Sequence, residues 1–600
     1  GTGSVERARQ AGERWFGGRR WVGAALFFAI LGVVMTWPLV LRMGSALAGR
    51  IGDNIYFVWM IGWVQKALFD LGANPFDVWF LNYPEGWNMA YTEITPAMLG
   101  LALPFSLVGG ATFGYNAAML LSYALSGLFM FLWVRKLTGS WGAGLVAGTV
   151  FACLPYRTAH FLIGHLNLLG TMWLPLFFWG LHGALEDTGR EGRKAAVLGG
   201  VGLGLTALTS QYYLYMALLV GAVFAAAYLL DDAWTQRKAR SGWRLAQRNF
   251  WAQMLIFGLA ALPLTALGVG PYVALNQQGG LPDRDIAVTR RYSASPTDFL
   301  LPSTDHFLWG RWVGEHFNRE LWVEATLYVG AAAGALALLA LILRRRGGHR
   351  RLVVSLFWAG AAAVVLAMGT DLHWLSEPVR VSVPGFLQGV LGRTEIPLVH
   401  LPGYYLFDHF PFYAKLRALM RFGLFALLFV SVGAGLGAAQ VLGRTAQRWK
   451  GAVLLGMLAL VLLDFYPGPV QEFAPVQARP VDAALAQRPG QGAVIQFPFI
   501  LSEDQEQTYY TLEHGKPFVG GFFNAFPPPQ YARIRPVMEQ FPSAESIAML
   551  PELGVEFVIA AAGAYPDLAQ VRQPLEAAGY EYLGLYGDQA LFEKAQKVTP

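Results

Sequence analysis

Long apolar runs separated by short polar loops fill the first 465 positions of the chain. Several of these runs approach the roughly 20 residues that a helix needs to cross a bilayer. Backbone polar groups cannot stay unpaired in lipid, and the alternation expected of a transmembrane barrel is absent, so the runs are predicted to be helices. They occupy positions 21–41, 96–109, 115–134, 141–154, 168–185, 195–209, 212–230, 254–275, 326–343, 352–368, 422–442 and 452–463.

Arginine and lysine concentrate in the loops between these runs, at 186–194, 231–248, 344–351 and 443–450, and in the stretch 7–20. Positively charged loops remain in the cytoplasm, so the N-terminal segment 1–20 and these loops are predicted to be cytoplasmic. The outside loops of the membrane domain, 21–465, are then near 44–95, 276–325 and 369–421. The predicted location is the cell (inner) membrane, with many crossings.

The number of crossings is constrained by this sidedness. A cytoplasmic N-terminus and an outside segment at 276 require an odd number of crossings, but eight apolar runs precede that segment. The run 96–109 is too short to cross in full and is predicted to be re-entrant or half-crossing. Eleven crossings result, with twelve or thirteen as alternatives.

From about position 466 the pattern changes to short mixed segments with more prolines and charges. The stretches GAVIQFPF (492–499) and VEFVIAA (555–561) are predicted to be buried strands, and PSAESIAMLPELG (542–554) a helix ended by Gly554. The predicted fold is therefore a polytopic α-helical membrane protein with a C-terminal extracytoplasmic α/β domain at 466–600.

Composition supports this class, since 55% of the 600 residues are apolar and 14% are charged, against roughly 25% charged in soluble proteins. The net charge of +6 comes with basic residues in short loops, which argues against nucleic-acid binding. The single cysteine, Cys153, excludes an intramolecular disulfide.

Acidic residues at the membrane edge are the first candidates for function, because such residues are costly there. Asp53 opens an outside loop, and Trp59 and Trp63 follow one helical turn apart, which predicts a helix in the membrane interface. Glu93 directly precedes the short run 96–109 and is predicted to face a cavity. The alternative for both carboxylates is a helix cap or a solvated loop charge.

A second group is LPYRTAHFLIGHLN (154–167), which holds Tyr156, Arg157, His160 and His165. Arg157 and His160 are spaced to share a helix face and together suit a phosphate. The alternative is a loop whose arginine anchors to lipid head groups. The two histidines lack the spacing of a helical metal pair, so the sequence does not favour zinc.

A third group is YAKLRALMRF (413–422), in which Arg417 and Arg421 are predicted to lie on one helix face where an outside loop meets the membrane. Two guanidinium groups so placed repel each other unless they share an anion, which suggests a phosphate. The alternative is that each reaches a different partner. The segment TSQYYLY (209–215), with Gln211 and Tyr212, is predicted to line the same cavity.

The order of these parts resembles the GT-C superfamily of membrane glycosyltransferases: a first helix, an outside loop opening with Gly52 and Asp53, a helical bundle and a C-terminal outside domain. The segments GDNIYFVWMIGW, NYPEG, LPYRTAHFLIGHLNLL, SQYYLYM and LRALMRF are most similar to bacterial polytopic proteins related to that superfamily and to the YfhO-like family. Many GT-C enzymes carry two adjacent acidic residues, whereas Asn54 follows Asp53 here. A divalent metal therefore stays an open alternative, and no cofactor is assigned.

The resemblance implies an inverting glycosyltransferase that uses a polyprenyl-phosphate sugar donor and a glycan, lipid or protein acceptor at the outer membrane face. Asp53 would be the general base. Arg417, Arg421 or Arg157 would stabilise the departing phosphate. The alternatives are a transporter or flippase of anionic or polyprenyl-linked lipid, which needs no base, and a non-catalytic envelope scaffold.

Overall fold

A computed structural model describes residues 20–237, 243–344, 348–500, 504–521 and 527–595. Almost all of the predicted cytoplasmic segment 1–20 lies outside the described residues, as do parts of the basic loops 231–248 and 344–351. The helices up to position 465 are α1 (Arg20–Met35), α2 (Asp53–Gln65), α3 (Pro96–Gly109), α4 (Ala111–Thr138), α5 (Trp141–Ala152), α6 (Pro155–Leu162), α7 (Leu166–Leu169), α8 (Trp173–Glu186), α9 (Gly189–Ala207), α10 (Gln211–Thr235), α11 (Arg248–Gln277), α12 (Ile286–Arg291), α13 (Gly310–His316), α14 (Trp322–Ala325), α15 (Ala331–Ile342), α16 (Arg350–Ala367), α17 (Gly385–Leu391), α18 (Pro402–His409), α19 (Gly423–Arg444) and α20 (Lys450–Phe465).

Six helical stretches of the described residues are long and apolar enough to cross a membrane. They are Ala111–Thr138, Leu166–Glu186, Gln211–Thr235, Arg248–Gln277, Arg350–Ala367 and Leu419–Arg444. Shorter apolar helices accompany them at Trp21–Met35, Pro96–Gly109 and Ala331–Ile342. The predicted class, a polytopic α-helical membrane protein, is confirmed, while the total of eleven crossings stays a prediction.

The basic loops meet at one end of the helical bundle, which we call the basic end. There Arg350 donates to Asp231 at 2.8 Å, and Arg351 pairs with Asp232 at 3.1 Å. These contacts join the last turn of α10 to the first turn of α16.

The predicted outside loops meet at the other end, which we call the loop end. The first turn of α10 lies there, because the Tyr215 hydroxyl donates to the Pro411 carbonyl at 2.6 Å. Arg290 and Asp371 join two of the long loops at 2.6 Å. A helix of 25 residues, such as α10, is roughly 37 Å long at 1.5 Å per residue, so the two ends are a membrane thickness apart.

Helix α3 begins and ends at the loop end. Its first turn is held there by Ala97, whose amide donates to the Leu208 carbonyl at 2.9 Å. Gly110, with φ 85°, turns the chain directly into α4, and Ala111 lies 3.5 Å from the Cβ position of Gly62 in α2. That 96–109 does not cross the membrane in full stays a prediction, and the return of the chain to the loop end agrees with it.

The C-terminal part forms a four-stranded sheet. Its strands lie in the order β11 (Tyr580–Tyr586), β12 (Gln589–Lys594), β10 (Val555–Ala561) and β9 (Ala493–Phe497). Strands β9 and β10 are parallel, and the other neighbouring pairs are antiparallel. The predicted strands are confirmed as β9 and β10, whereas the predicted helix 542–554 is shorter, at Ala544–Met549. Gly554, with φ 67°, turns the chain toward β10. The helices of this part are α21 (Pro480–Ala486), α22 (Asp504–His514), α23 (Pro529–Met538), α24 (Ala544–Met549) and α25 (Ala569–Ala577). The strands of the chain are β1 (Ala46–Ala48), β2 (Asp77–Val78), β3 (Trp87–Asn88), β4 (His373–Trp374), β5 (Glu377–Pro378), β6 (Val381–Ser382), β7 (Glu395–Ile396), β8 (Phe473–Pro475), β9 (Ala493–Phe497), β10 (Val555–Ala561), β11 (Tyr580–Tyr586) and β12 (Gln589–Lys594).

The C-terminal part packs directly on the loop end of the bundle. Strand β1 pairs antiparallel with β8, and α22 packs along α2. Trp59 and Trp63 are fully buried, and the Trp59 indole N–H donates to the Thr511 hydroxyl at 3.1 Å. The prediction that α2 lies in the membrane interface is therefore wrong, because α22 covers the face that was expected to meet lipid.

Candidate active site

Asp53 is held at the loop end by the backbone around it. It is the first residue of α2, and the Asn54 side chain accepts from the amides of Gly52 and Ile55 at 2.9 and 2.8 Å. Gly164 has φ 80° and packs on Asn54 so closely that a Cβ would overlap it. This approach, which only glycine permits, brings His165 to the first turn of α2.

A row of polar side chains starts at Asp53. His165 Nε2 lies 3.0 Å from Asp53 Oδ2, and His165 Nδ1 lies 2.8 Å from His160 Nδ1. His160 Nε2 then lies 3.7 Å from Glu324 Oε2, which is beyond hydrogen-bond distance. The row passes from a carboxylate with 27% side-chain exposure to a fully buried histidine.

The partners of the two histidines indicate their tautomers. If His165 Nε2 donates to Asp53, then His165 Nδ1 accepts, and the proton between the rings belongs to His160 Nδ1. His160 Nε2 is then a bare acceptor, in agreement with its having no hydrogen-bond partner in the described part of the chain. Burial holds the pKa of His160 well below its usual value, so this ring is neutral.

The row continues from Glu324 to Arg421. The guanidinium donates through Nε to Oε2 at 3.1 Å and through its Nη2 to Oε1 at 2.5 Å, a bidentate pair that is almost completely buried. Burial alone would raise the pKa of Glu324, but the charge of Arg421 and its hydrogen bonds bring that pKa well below its usual value. Glu324 is therefore an anion surrounded by one cation and one neutral imidazole.

Arg417 and Arg421 do not share a helix face, contrary to prediction. Arg417 precedes the short 3₁₀ helix Leu419–Phe422 that contains Arg421, and α19 begins only at Gly423. Arg421 forms an ion pair with Glu324 instead of sharing an anion with Arg417. The guanidinium of Arg417 lies over the Tyr292 ring, 4.8 Å from its centroid, and is half-exposed.

Tyr212 connects the two arginines. Its hydroxyl accepts from the Arg417 amide at 3.2 Å, and its ring lies 4.8 Å from the Arg421 guanidinium carbon. The predicted neighbour Gln211 instead donates to the backbone carbonyls of Ala207 and Gly268, at 3.1 and 2.9 Å, so its amide joins α9, α10 and α11. Tyr212 therefore belongs to the site, whereas the Nε2 of Gln211 is used in helix packing.

Glu93 lies beside the row, as its predicted role requires. Asn167 donates to Glu93 Oε2 at 2.6 Å, and the Ser210 hydroxyl donates to Oε1. Burial raises the pKa of Glu93, and the charge of Arg421 and the hydrogen bonds from Ser210 and Asn167 oppose that rise. The Tyr272 hydroxyl fixes the backbone on both sides by donating to Thr92 and accepting from Ile94.

Arg157 and Tyr156 pack behind the row. Arg157 is fully buried over the Tyr123 ring and donates to Ser122 and Thr171 at 2.8 Å and also to Ser126. The prediction that Arg157 and His160 together hold a phosphate is wrong in its geometry, because His160 joins the row while Arg157 bonds to hydroxyls inside the bundle. The edge of the Tyr156 ring meets His160 at a centroid distance of 4.4 Å.

Two residues that the sequence did not single out complete the site. Glu324 stands in a short helix just before an apolar run, so its charge at the membrane edge was a usable signal. Gln505, whose amide donates to Asp53 Oδ1 at 3.4 Å, is 452 positions away. No local pattern could have connected the two.

A comparison with protein families identifies the chain. Residues 21–393 match the family described as Domain of unknown function (DUF6311). The chain belongs to the DUF6311 family. No curated protein matches this DUF6311 chain. The matched region includes Asp53, His160, His165 and Glu324 but neither Arg421 nor the C-terminal part.

The DUF6311 chain is similar in structure to three membrane proteins. The Archaeoglobus fulgidus oligosaccharyltransferase in its apo form has a TM-score of 0.48 and 13% identity, over 98% of this chain and 76% of that one. The arabinofuranosyltransferase AftD from Mycobacteria scores 0.49 at 16% identity, over 96% of this chain and 42% of that one. ArnT from Cupriavidus metallidurans, bound to undecaprenyl phosphate, scores 0.43 at 12% identity, over 97% of this chain and 99% of that one.

Proposed function

We propose that this protein is an inverting glycosyltransferase that moves a sugar from a polyprenyl-phosphate donor to an acceptor hydroxyl at the outer membrane face. The observation that carries the proposal is the position of Asp53. It is a partly exposed carboxylate held by His165 at the end of a buried row of charged and polar groups. The sequence resemblance to GT-C enzymes supports the same assignment.

Asp53 acts as the general base. The acceptor oxygen attacks the anomeric carbon from the face opposite the phosphate and forms the new C–O bond. The bond from that carbon to the phosphate oxygen breaks, and its electron pair leaves with the phosphate. The acceptor proton passes to the Asp53 carboxylate, which must be within hydrogen-bond distance of it. Inversion at the anomeric carbon follows from a single displacement.

Arg417 is the residue proposed to bind the donor phosphate. Its guanidinium forms no ion pair with any residue that the structure describes, while Arg421 is committed to Glu324 and Arg157 is enclosed by hydroxyls. Tyr212 joins Arg417 to the Asp53 row through Arg421. A planar guanidinium at this edge suits a phosphate, because it offers two parallel N–H donors.

The two ends of the bundle support a site at the outer membrane face. The site lies at the loop end, and the loops rich in arginine and lysine lie at the basic end. Because positively charged loops stay in the cytoplasm, the loop end faces outward. A donor with a lipid tail and a charged head would meet Asp53 at the boundary between water and hydrocarbon.

The residues around His160 suit a divalent cation. One donor atom each from His160, His165 and Glu324 lies within 4.8 Å of the others. The unpartnered His160 Nε2 is 3.7 Å from a Glu324 oxygen, a separation suited to two ligands of one ion. A cation held there would supply positive charge for a developing phosphate anion. His165 would bind the cation through Nδ1, which would then give up its hydrogen bond from His160 Nδ1. Its Nε2 would keep the contact to Asp53, the kind of carboxylate partner that orients a metal-bound histidine.

The experiment uses purified protein in nanodiscs with a panel of undecaprenyl-phosphate-linked monosaccharides and cell-envelope extract as the source of acceptor. Release of undecaprenyl phosphate is measured by mass spectrometry. Asp53→Asn should lower the rate at least about a hundredfold, the low end for loss of a general base, while binding of undecaprenyl phosphate stays unchanged. Full release by Asp53→Asn would contradict the mechanism and favour lipid transport or a scaffold role.

A further inference from the structure

Helix α22 of the C-terminal part runs alongside α2 in the same direction. Three contacts fix this arrangement: Gln505 with Asp53, Thr511 with Trp59, and Leu512 with Gly62. Their positions increase together along both helices, so the helices are parallel. The first turns of both helices therefore meet at Asp53.

The two helices approach each other closely at Gly62. A Cβ at that position would lie 2.5 Å from Leu512 Cδ1, well inside van der Waals contact. The buried hydrogen bond between the Trp59 indole and Thr511 prevents α22 from sliding along α2. Gln505 thus has little freedom to leave Asp53, although neither residue is fully buried.

Each oxygen of the Asp53 carboxylate meets a nitrogen from a different part of the chain. His165 Nε2 lies 3.0 Å from Oδ2, and Gln505 Nε2 donates to Oδ1 at 3.4 Å. Two such contacts fix the rotation of the carboxylate about its terminal bond, which is otherwise soft. The N-termini of two helices add favourable partial charge for an anion here.

We propose that Gln505 is a positioning residue for Asp53, so that the C-terminal part completes the reaction centre. The amide sets the direction in which the carboxylate lone pairs face the acceptor hydroxyl. A base misplaced by about 1 Å loses much of its effect, and for this reason the contact is expected to influence the rate of transfer more than substrate affinity. This inference rests on the proposed glycosyltransferase function.

The test measures release of undecaprenyl phosphate from the donor panel by Gln505→Ala and Gln505→Asn. Each should lower kcat about tenfold, as expected for one hydrogen bond to a charged group, with the donor KM and the thermal midpoint unchanged. Gln507→Ala is the matched control, because Gln507 is on the same helix and its side chain makes no hydrogen bond to the residues that the structure describes. It should behave as the unmodified protein.

A double-variant cycle separates positioning from general packing. Asp53→Glu lengthens one side chain by a methylene, and Gln505→Asn shortens the other by the same amount. In the Asp53→Glu background, Gln505→Asn should cost at least about threefold less than it does alone. Independent, multiplying effects would overturn the positioning role, and so would a loss confined to KM or to the thermal midpoint.

The two proposals fail in different ways. If Asp53→Asn abolishes transfer but the Gln505 variants match Gln507→Ala, only the role of Gln505 is wrong. If Asp53→Asn keeps full activity, the glycosyltransferase proposal fails first, and the Gln505 proposal fails with it.

Discussion

The two ends of the helical bundle differ in how deeply the arginines of their ion pairs are buried. At the basic end, the Arg350 and Arg351 side chains that pair with Asp231 and Asp232 are 41% and 30% exposed. At the loop end, Arg421 and Glu324 are paired at exposures of 5% and 7%, and the row continues through two histidines to Asp53. Surface pairs contribute little to stability, whereas buried charges are costly unless each has its partner. The loop end keeps buried charges despite their cost in folding free energy, as expected of a functional site.

The basic end also contains a cavity, of about 410 Å³, lined by Arg344, His349, Arg444 and apolar side chains of α15, α16 and α19. Its arginines bond to the ends of their own helices, Arg344 to the Leu341 carbonyl and Arg444 to Gln440. Cations at helix C-termini are a common stabilising arrangement. This cavity therefore serves as the comparison site for anion binding in the experiments below.

The largest expected effect is on stability, from Arg421→Ala. The change leaves Glu324 buried without its cation, which costs roughly 3–5 kcal/mol. Arg350→Ala is the matched change at the basic end and should cost less, because the Arg350 side chain is 41% exposed. Thermal unfolding in nanodiscs measures both. Equal midpoints for the two variants would show that the ends do not differ.

Removal of divalent metal is the next test of the loop end. Dialysis against a chelator should reduce release of undecaprenyl phosphate to a small fraction, and one added metal should restore it, because His160, His165 and Glu324 would hold the ion. His165→Ala should respond to neither treatment. If activity is unchanged in the chelator, the row of His160, His165 and Glu324 holds no metal ion needed for activity and acts through hydrogen bonds alone.

Arg417→Ala should weaken binding of undecaprenyl phosphate by about tenfold or more, the effect of one charged hydrogen bond. Its thermal midpoint should change little, since no ion pair is lost in the part of the chain that the structure describes. Arg444→Ala, which removes an arginine from the cavity at the basic end, is the control. A larger loss of affinity in Arg444→Ala would move the phosphate site to that end.

The smallest expected effect concerns His514, in α22. Burial, with Arg479 and Lys516 nearby, lowers the pKa of His514 to about 3. The folded pKa lies below the unfolded value of roughly 6.5, so stability is complete above that pH and falls as the pH drops toward 3. At pH 5.5 the loss is roughly 1.4 kcal/mol.

The variant His514→Asn should reduce this pH dependence. Its amide oxygen can replace Nδ1 as the acceptor for the Lys516 amide but does not titrate in this range. Thermal midpoints at pH 7.5 and 5.5 should move less in this variant than in the unmodified protein. His316→Asn, at an exposed histidine, is the control. If the thermal midpoint depends on pH as strongly in His514→Asn as in His316→Asn, His514 is not the source of the pH dependence.

The sequence predicted the features that depend on local pattern. Apolar runs predicted the helices, charge in the loops predicted the two ends, and the short run 96–109 predicted the 14-residue helix α3. Asp53, Glu93, His165 and Tyr212 were predicted because polar groups at a membrane edge are unusual, and their role stays a prediction.

The errors concern contacts between distant parts of the chain. The helix spacing of Arg417 and Arg421 suggested a shared anion, but Glu324, 97 positions away, takes Arg421. His160 and His165 lack the spacing of a helical metal pair, so the sequence did not predict that their rings lie close together. Gly164 turns the chain between them and brings the rings into contact. Helix α2 was expected at the lipid surface, since nothing local shows that α22 would cover it.

The most direct test is a cryo-EM structure of the protein with undecaprenyl phosphate. The account predicts phosphate density within hydrogen-bond distance of the Arg417 guanidinium, on the side facing Asp53. Phosphate density in the cavity of Arg344 and Arg444 at the basic end, with none beside Arg417, would contradict it.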